Sequence, residues 1–332
     1  MTWHTVDYHT AGEPFRIVTA GAPPLPGDSV ADRRARAIAD PEAQRVRRLL
    51  CQEPRGHADM YGGFLVPPDD DGAHLGVLFW HKDGFSTACG HGTIALATWA
   101  VEAGVVPQAA DGPTEVVVDV PSGRVRALVH VEGDRVVGAT FVNVPSWVHS
   151  RDVEVVTSRG TVRVDIAFGG AMYAVLPAAD VGLDVVPPDY ADLIDVGRQV
   201  RDALNARRAA EHPDDPRLSG IYGTILTAPG EHPLHQRNCT VFADGEVDRS
   251  PCGSGTAARV ALLAEDGTLG EDDVLVHESI VGTFFEARVE ARTTAHGRPA
   301  VVPAVTGSAY RVGTSEFTED PQDPVSPGFV LR

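Results

Sequence analysis

Asp248-Arg249-Ser250-Pro251-Cys252-Gly253-Ser254-Gly255-Thr256 leads into an Ala/Val/Leu-rich run reaching Leu263, and this stretch has a twin. Cys89-Gly90-His91-Gly92-Thr93-Ile94-Ala95 opens a similar run. Cys89, Gly90, Gly92, Thr93, Ala95, Glu102 and Gly104 match Cys252, Gly253, Gly255, Thr256, Ala258, Glu265 and Gly267, and every pair is 163 residues apart (252 minus 89). Solenoid repeats have periods of roughly 20–50 residues, so a spacing this long points to two duplicated half-molecules. Each half then carries one cysteine at the head of a helix.

The chain has 332 residues, enough for two well-buried cores. Its 28 Lys+Arg against 46 Asp+Glu give a net charge of −18, which disfavours electrostatic binding to nucleic acid or an anionic membrane surface. No apolar run reaches the roughly 18–20 residues of a membrane span, and Met1-Thr2-Trp3-His4 lacks the features of a secretion signal; the expected location is cytoplasmic. Four cysteines, Cys51, Cys89, Cys239 and Cys252, are too few for a disulfide framework, and without a C-x-x-C pair no zinc or other metal site is expected. Lys82 is the sole lysine, so it alone could form a Schiff base with pyridoxal phosphate.

Along the chain, Asp7 to Val18 reads as two strands around a Gly/Pro turn, followed by a helix capped by Asp28 or Ser29 and reaching about Leu50. Arg55 to Gly63 is a Gly-rich polar loop. Strands are expected at Phe64–Val66 and Leu75–Trp80, then the Cys89 helix to about Ala103, then strands at 115–120, 125–131 and 136–142. The second half repeats this order. Strands cover Val162 to Val175 around Gly169-Gly170, a helix spans 190–208, and strands at 224–227 and 238–242 lead into the Cys252 helix. Strands at 274–281, 284–289 and 300–310 complete it, and Phe329-Val330-Leu331 offers one last strand that returns to the first half. Strands and helices do not alternate one for one, which excludes a doubly wound parallel sheet. The helices at 94–101 and 257–264 are apolar nearly all round and so require burial. The expected architecture is α/β of the α+β kind, with two pseudo-symmetric halves. Each half is a mostly antiparallel sheet curled around a central helix. The boundaries are 1–148 with 320–332 for the half carrying Cys89, and 149–319 for the half carrying Cys252, with the active site in the cleft between them, a favoured place for a small-molecule pocket.

A cysteine at a helix start lies near unsatisfied N–H groups and the positive end of the dipole, which lowers a thiol pKa from about 8.5 and makes it a usable base. A lone buried cysteine commonly packs as a small hydrophobe. Two cysteines in duplicated Gly-rich caps argue for chemistry, whereas Cys51 and Cys239 lack that setting and read as structural. The glycines let backbone N–H groups approach a carboxylate or phosphate. Both loops fit G-x-G-x-x-A, but Gly84 to Ala88 is not the apolar strand that a dinucleotide-binding unit needs. Two thiols on opposite sides of a carbon whose carboxylate is pinned by helix N-termini imply racemisation or epimerisation. Developing charge would be met by preorganised donors. Asp248 and His91 are the candidates to bind a substrate ammonium.

The motifs Asp7 to Pro14, Arg55 to Gly62, Cys89 to Thr93 and Asp248 to Thr256 together resemble the proline racemase family, which includes hydroxyproline 2-epimerases and trans-3-hydroxyproline dehydratases. The resemblance covers essentially the whole chain. It implies a diaminopimelate-epimerase-like fold, two-base catalysis without cofactor or pyridoxal phosphate, proline or hydroxyproline as small-molecule substrate, and a homodimer. It also implies roles: Cys89 and Cys252 as the bases; Gly90, His91, Gly253 and Ser254 as the carboxylate-binding helix starts; Asp248 with His91 near the ring nitrogen; Tyr61 and Phe242 as aromatic walls. Proline racemases carry Phe at the first wall, so Tyr61 leans towards the dehydratase branch. That branch typically has threonine in place of the second cysteine, so Cys252 leans away from it. The base outweighs the wall, and the expected activity is a proline racemase. The alternatives are a 4-hydroxyproline 2-epimerase, a trans-3-hydroxy-L-proline dehydratase and, from another class, a non-catalytic amino-acid-binding protein.

Overall fold

In a computed structural model, which describes residues 2–331, the chain divides into two compact units. The first contains β1 (Thr2–Thr10), β2 (Glu13–Ala20), α1 (Val30–Ala39), α2 (Pro41–Cys51), β3 (Gly62–Val66), β4 (Leu75–His81), β5 (Gly84–Phe85), α3 (Gly90–Glu102), β6 (Thr114–Val120) and β7 (Gly123–Glu132), and ends in β8 (Arg135–Val142). The second contains β9 (Trp147–Thr157), β10 (Gly160–Phe168), β11 (Met172–Pro177), α4 (Tyr190–Ala206), β12 (Ile221–Pro229), β13 (His235–Phe242), β14 (Glu246–Asp248), α5 (Gly253–Glu265), β15 (Leu275–Ser279), β16 (Phe284–Ala295) and β17 (Arg298–Gly307). The chain then returns to the first unit with β18 (Ala309–Thr318).

The strand pairings show the duplication directly. In the first unit β1 pairs β2 antiparallel, β2 pairs β3 parallel, β3 pairs β4 antiparallel, β4 pairs the short β5 antiparallel and β6 parallel, and β6 pairs β7 antiparallel. The second unit repeats each pairing with the same sense through β10, β11, β12, β13, β14, β15 and β16. Each first strand also gains an outer antiparallel partner, β18 on β1 and β9 on β10. The result is mostly antiparallel, as the strand-rich pattern requires.

The sheets curl because each must cover a helix that has no polar face. α3 packs against β1, β2, β6, β7 and β18, and α5 against β9, β10, β11, β16 and β17. Along β10 Val162, Val164 and Ile166 turn inward while Arg163 faces solvent, and along β7 Val125, Ala127 and Val129 alternate with Arg124 and Arg126. Within the helices Ile94, Leu96, Val260 and Leu262 are fully buried. Each such side chain is worth about 1.5–3 kcal/mol relative to exposure. The first core gathers Trp3, Leu49, Phe64, Leu78 and Trp80; the second gathers Val148, Tyr173, Ile225, Leu262 and Cys252 itself.

Several expectations are corrected. The single helix expected up to Leu50 is two, because Pro41 has no N–H to continue α1 and instead starts α2 at its first position, capped by Asp40 accepting from Ala43 N at 2.8 Å. Ser29 caps α1 through Asp32 N at 3.1 Å. The boundaries 1–148 with 320–332, and 149–319, also move. The first unit runs to Thr140 and resumes at Ser308, and the second spans Phe141–Gly307. The returning strand is β18, which runs along β1 from Thr2–Thr318 to Thr10–Ala309, whereas Phe329 contributes an isolated bridge to Glu53. The strand expected over 300–310 is therefore split at Ser308. β9 was not anticipated. Among the described residues no helix is long and apolar enough to cross a membrane.

Candidate active site

In the first unit Cys89 is the N-cap of α3, in extended conformation at φ −157° and ψ 102°. Its sulfur accepts from Gly92 N at 3.2 Å, and its carbonyl accepts from Thr93 N at 3.0 Å and Thr93 Oγ1 at 2.8 Å. The sulfur thus lies over the first turn, the place where four N–H groups have no helical partner. A Cβ on Gly92 would sit 2.7 Å from that sulfur and 2.5 Å from the Phe15 ring, so only glycine fits. His91 Nδ1 lies 3.4 Å from the Cys89 sulfur, and the His91 ring meets Tyr61 edge-on at 4.9 Å and Phe15 at 6.0 Å. Thr10 Oγ1 donates to the His91 carbonyl at 2.8 Å, pinning the helix start to the end of β1. The Tyr61 hydroxyl is hydrogen-bonded to Ser86. Behind Tyr61 stands His81, whose pKa burial lowers to about 3, against the neighbouring Asp83 charge; it is neutral.

The second unit builds the equivalent corner differently. Cys252 has φ 62° and ψ 101°, a conformation L-residues rarely adopt. Such backbone costs of order 1–3 kcal/mol and persists only where the surroundings hold it. Here they do. Ser250 Oγ accepts from Cys252 N at 3.1 Å, and Asp248 accepts from Ser250 N at 2.9 Å and Ser250 Oγ at 2.6 Å. The Pro251 carbonyl accepts from Asn238 Nδ2 at 3.1 Å and Thr256 Oγ1 at 3.0 Å, and Thr256 N closes the turn on the Cys252 carbonyl at 2.7 Å. A Cβ on Gly255 would lie 2.9 Å from the Cys252 sulfur, the same relation as Gly92 to Cys89. A Cβ on Gly169 would meet the Ser254 carbonyl at 2.3 Å, so the turn between β10 and β11 also has to be glycine there.

The Cys252 thiol departs from the sequence expectation. Burial, followed by the charge of Asp248, raises its pKa, and the amide of Gly255 and the Tyr173 hydroxyl pull the other way. Desolvation of the thiolate and the Asp248 charge outweigh those two donors and favour the protonated thiol at Cys252. Elsewhere, the Cys51 thiol donates to the Met60 carbonyl at 3.2 Å, and burial pushes the Cys239 thiol up to about 12.

The structure groups Cys89, Gly90, His91 and Tyr61 in one unit and Cys252, Gly253, Ser254, Asp248 and Phe242 in the other, all buried. Asp248 accepts both bonds of the Ser250 turn beside Cys252 through Oδ1. Phe242 stacks on Tyr222 at 5.6 Å, and Tyr222 meets Tyr173 edge-on at 5.9 Å. Ser250, Tyr173 and Tyr222 were missed. The Asp-x-Ser spacing of a side-chain-capped turn could have revealed Ser250, whereas the two tyrosines come from distant strands without a local motif.

The proline racemase family model matches residues 5–330. Over 330 residues the chain is 49% identical to the 3-hydroxyproline 2-epimerase of Burkholderia multivorans, covering 99% of this chain and 98% of that protein. It is 48% identical to the trans-3-hydroxy-L-proline dehydratase of Azospirillum brasilense with the same coverage. A crystal structure of a hydroxyproline epimerase from Agrobacterium vitis, with trans-4-hydroxy-L-proline bound, superposes with a TM-score of 0.93 at 31% identity, over 99% of this chain and 96% of that one. With two duplicated units, each built on a buried helix that begins at a cysteine, the diaminopimelate-epimerase-like architecture is present, and the chain belongs to the proline racemase family.

Proposed function

We propose that this chain is a cofactor-independent racemase or 2-epimerase of proline-type amino acids, in which Cys89 and Cys252 exchange the α-proton on opposite faces of one carbon. The observation that carries the reading is Cys252 itself: a second thiol, set against the first turn of α5 and its Gly255 as Cys89 is set against Gly92. An epimerase needs an acid and a base that exchange roles, and a thiol can serve as either. In the direction that starts with Cys252 protonated, the Cys89 thiolate takes the α-proton and the Cys252 S–H bond breaks to give its proton to the other face. The two sulfurs exchange roles, and the reverse reaction restores them. The N–H groups of Gly90, His91, Gly253 and Ser254 would hold the carboxylate and stabilise the charge that develops towards it. Tyr61 and Phe242 would wall the ring, and Asp248 with His91 would face its nitrogen.

Among the possible rings we take 3-hydroxyproline first, ahead of proline and 4-hydroxyproline, a choice supported by the name of the 49% identical relative, 3-hydroxyproline 2-epimerase. Dehydration is the second reading, favoured by the name of the 48% identical relative. After α-proton removal the C3 hydroxyl would leave as water, taking the acid's proton and giving an enamine. Incubating the protein in D₂O with L-proline, trans-4-hydroxy-L-proline and trans-3-hydroxy-L-proline separates the readings. Epimerisation gives α-deuterium and inverted configuration by NMR and polarimetry, dehydration gives a ketone-forming imine, and a mere binding protein gives neither. Cys252→Thr is expected to lower inversion by about 10²–10⁴, the usual worth of a general acid or base, and to spare dehydration. Inversion at the wild-type rate would sink the two-thiol mechanism. Dialysis against EDTA is expected to leave activity unchanged; a loss restored by metal would refute the cofactor-independent reading. Light scattering at twice 35.2 kDa would support a homodimer.

A further inference from the structure

Tyr173 begins no motif and lies 79 residues before Cys252, yet its hydroxyl touches both functional groups of the second helix start. The oxygen is 2.7 Å from Ser254 Oγ and 3.8 Å from the Cys252 sulfur, and the side chain is fully buried at the foot of β11. Burial, then the neighbouring Cys252 charge, pushes the phenol pKa well above its ordinary value, so the hydroxyl keeps its one proton throughout the working pH range. A hydroxyl has one proton to give and lone pairs to receive with. With Cys252 as thiol, S–H donates to the Tyr173 oxygen; the Tyr173–Ser254 bond can run either way, and in the direction from Tyr173 to Ser254 it leaves the Ser254 proton for a carboxylate. With Cys252 as thiolate, Tyr173 donates to sulfur and accepts from Ser254, whose proton is then engaged within the protein.

We propose that Tyr173 is a positioning residue that couples the protonation of Cys252 to the direction in which Ser254 donates, so that Ser254 grips the substrate carboxylate only while Cys252 carries its proton. The coupling rests on the two-thiol reading above. In one turnover the α-proton passes to Cys89, Cys252 delivers its proton to the opposite face, no net charge is gained, and Tyr173 swings its proton from Ser254 to the new thiolate. Ser254 follows by turning to Tyr173, and the product carboxylate is released from one donor at the moment its configuration has inverted.

Two measurements test this on the full chain. The first is the pH profile of carbamidomethylation by iodoacetamide, read separately at Cys89 and Cys252 by peptide mass spectrometry without substrate. Tyr173→Phe keeps the ring and removes the donor to the thiolate; the Cys252 profile is expected to move to higher pH, with reaction about tenfold slower below its midpoint, as for loss of one hydrogen bond to a charged group, while Cys89 is unmoved. An unshifted Cys252 profile, or equal shifts at both cysteines, would overturn the coupling even in an active epimerase. The second covers a Tyr173→Phe protein that does not fold. Ser254→Ala should raise KM about tenfold for the isomer bound with Cys252 protonated and leave KM for the other isomer unchanged, where the same loss in kcat/KM must appear in kcat. Equal KM increases for both isomers would show that Ser254 grips the carboxylate in either state, against the proposal. Absence of α-deuterium exchange by wild-type protein would instead refute the parent two-thiol reading, and the alkylation profiles would still decide the role of Tyr173.

Discussion

Gly92 and Gly255 each lie three residues after a cysteine, and the space a methyl group would take is filled by sulfur at 2.7 Å and 2.9 Å. In an ordinary helix Gly→Ala gains about 1 kcal/mol, but here the methyl has to displace the thiol. Gly255→Ala is therefore expected to fold with a melting temperature near that of the parent and to lose about 10² in kcat, the scale of a 1 Å misplacement of a reacting group. Gly92→Ala should lose activity and stability together, because its methyl also meets Phe15 at 2.5 Å. Steady-state kinetics and a thermal melt on both variants check this; wild-type kcat in Gly255→Ala would show that sulfur position is not critical. The two cysteines and the glycines around them were legible in the sequence because the repeat prints them twice. The protonation of Cys252 was not, since it depends on burial and on an Asp248 charge that spacing alone does not weigh.

Between α1 and α2 a single residue does two jobs. Asp40 ends the first helix in extended conformation and caps the second through Ala43 N. Asp40→Ala is expected to cost about 1 kcal/mol, within the 0.5–2 kcal/mol of other N-cap losses, measured as a lower melting temperature with kcat unchanged. No loss of stability would mean that water replaces the cap. The sequence showed where helical periodicity lay but not this break, because Pro is equally at home at a helix's first turn and just beyond its end. Strand limits were legible wherever apolar and polar residues alternate, as in β7 and β10. The strand expected over 300–310 ran two residues into β18 because Gly307-Ser308 is a weak turn signal, and the rest of β18, to Thr318, was not read as strand.

For the whole molecule, buried neutral histidines tie stability to acidity. Burial is the largest cause that lowers His277 and His81 from 6.5 to about 3, and His277 Nδ1 is held 2.7 Å from Thr256 Oγ1 in the second core. Between those limits the unfolded chain binds protons that the folded chain refuses, so stability present above pH 6.5 is lost as pH falls towards 3. Cys252 acts at the other end: with its folded pKa raised above the ordinary 9.0, stability present below that value is lost as pH rises past it. The melting temperature is expected to decline on both sides of a neutral plateau, and His277→Gln should flatten the acid limb; an unchanged acid limb would assign it elsewhere. The duplicated plan was the most legible feature at this scale, because a matching motif recurs at one fixed spacing, whereas the partner of β1 was hidden in the last part of the chain. That partner has a consequence for synthesis. Residues 141–307 form the second unit without interruption, but β1 leaves the ribosome about three hundred residues before residues 309–318 supply its partner β18. Until then its outer edge offers unpaired amides and carbonyls to any passing strand, so the first unit to begin is the last to close, and a message truncated before Ser308 would yield a chain prone to self-association, detectable as aggregates of the nascent product.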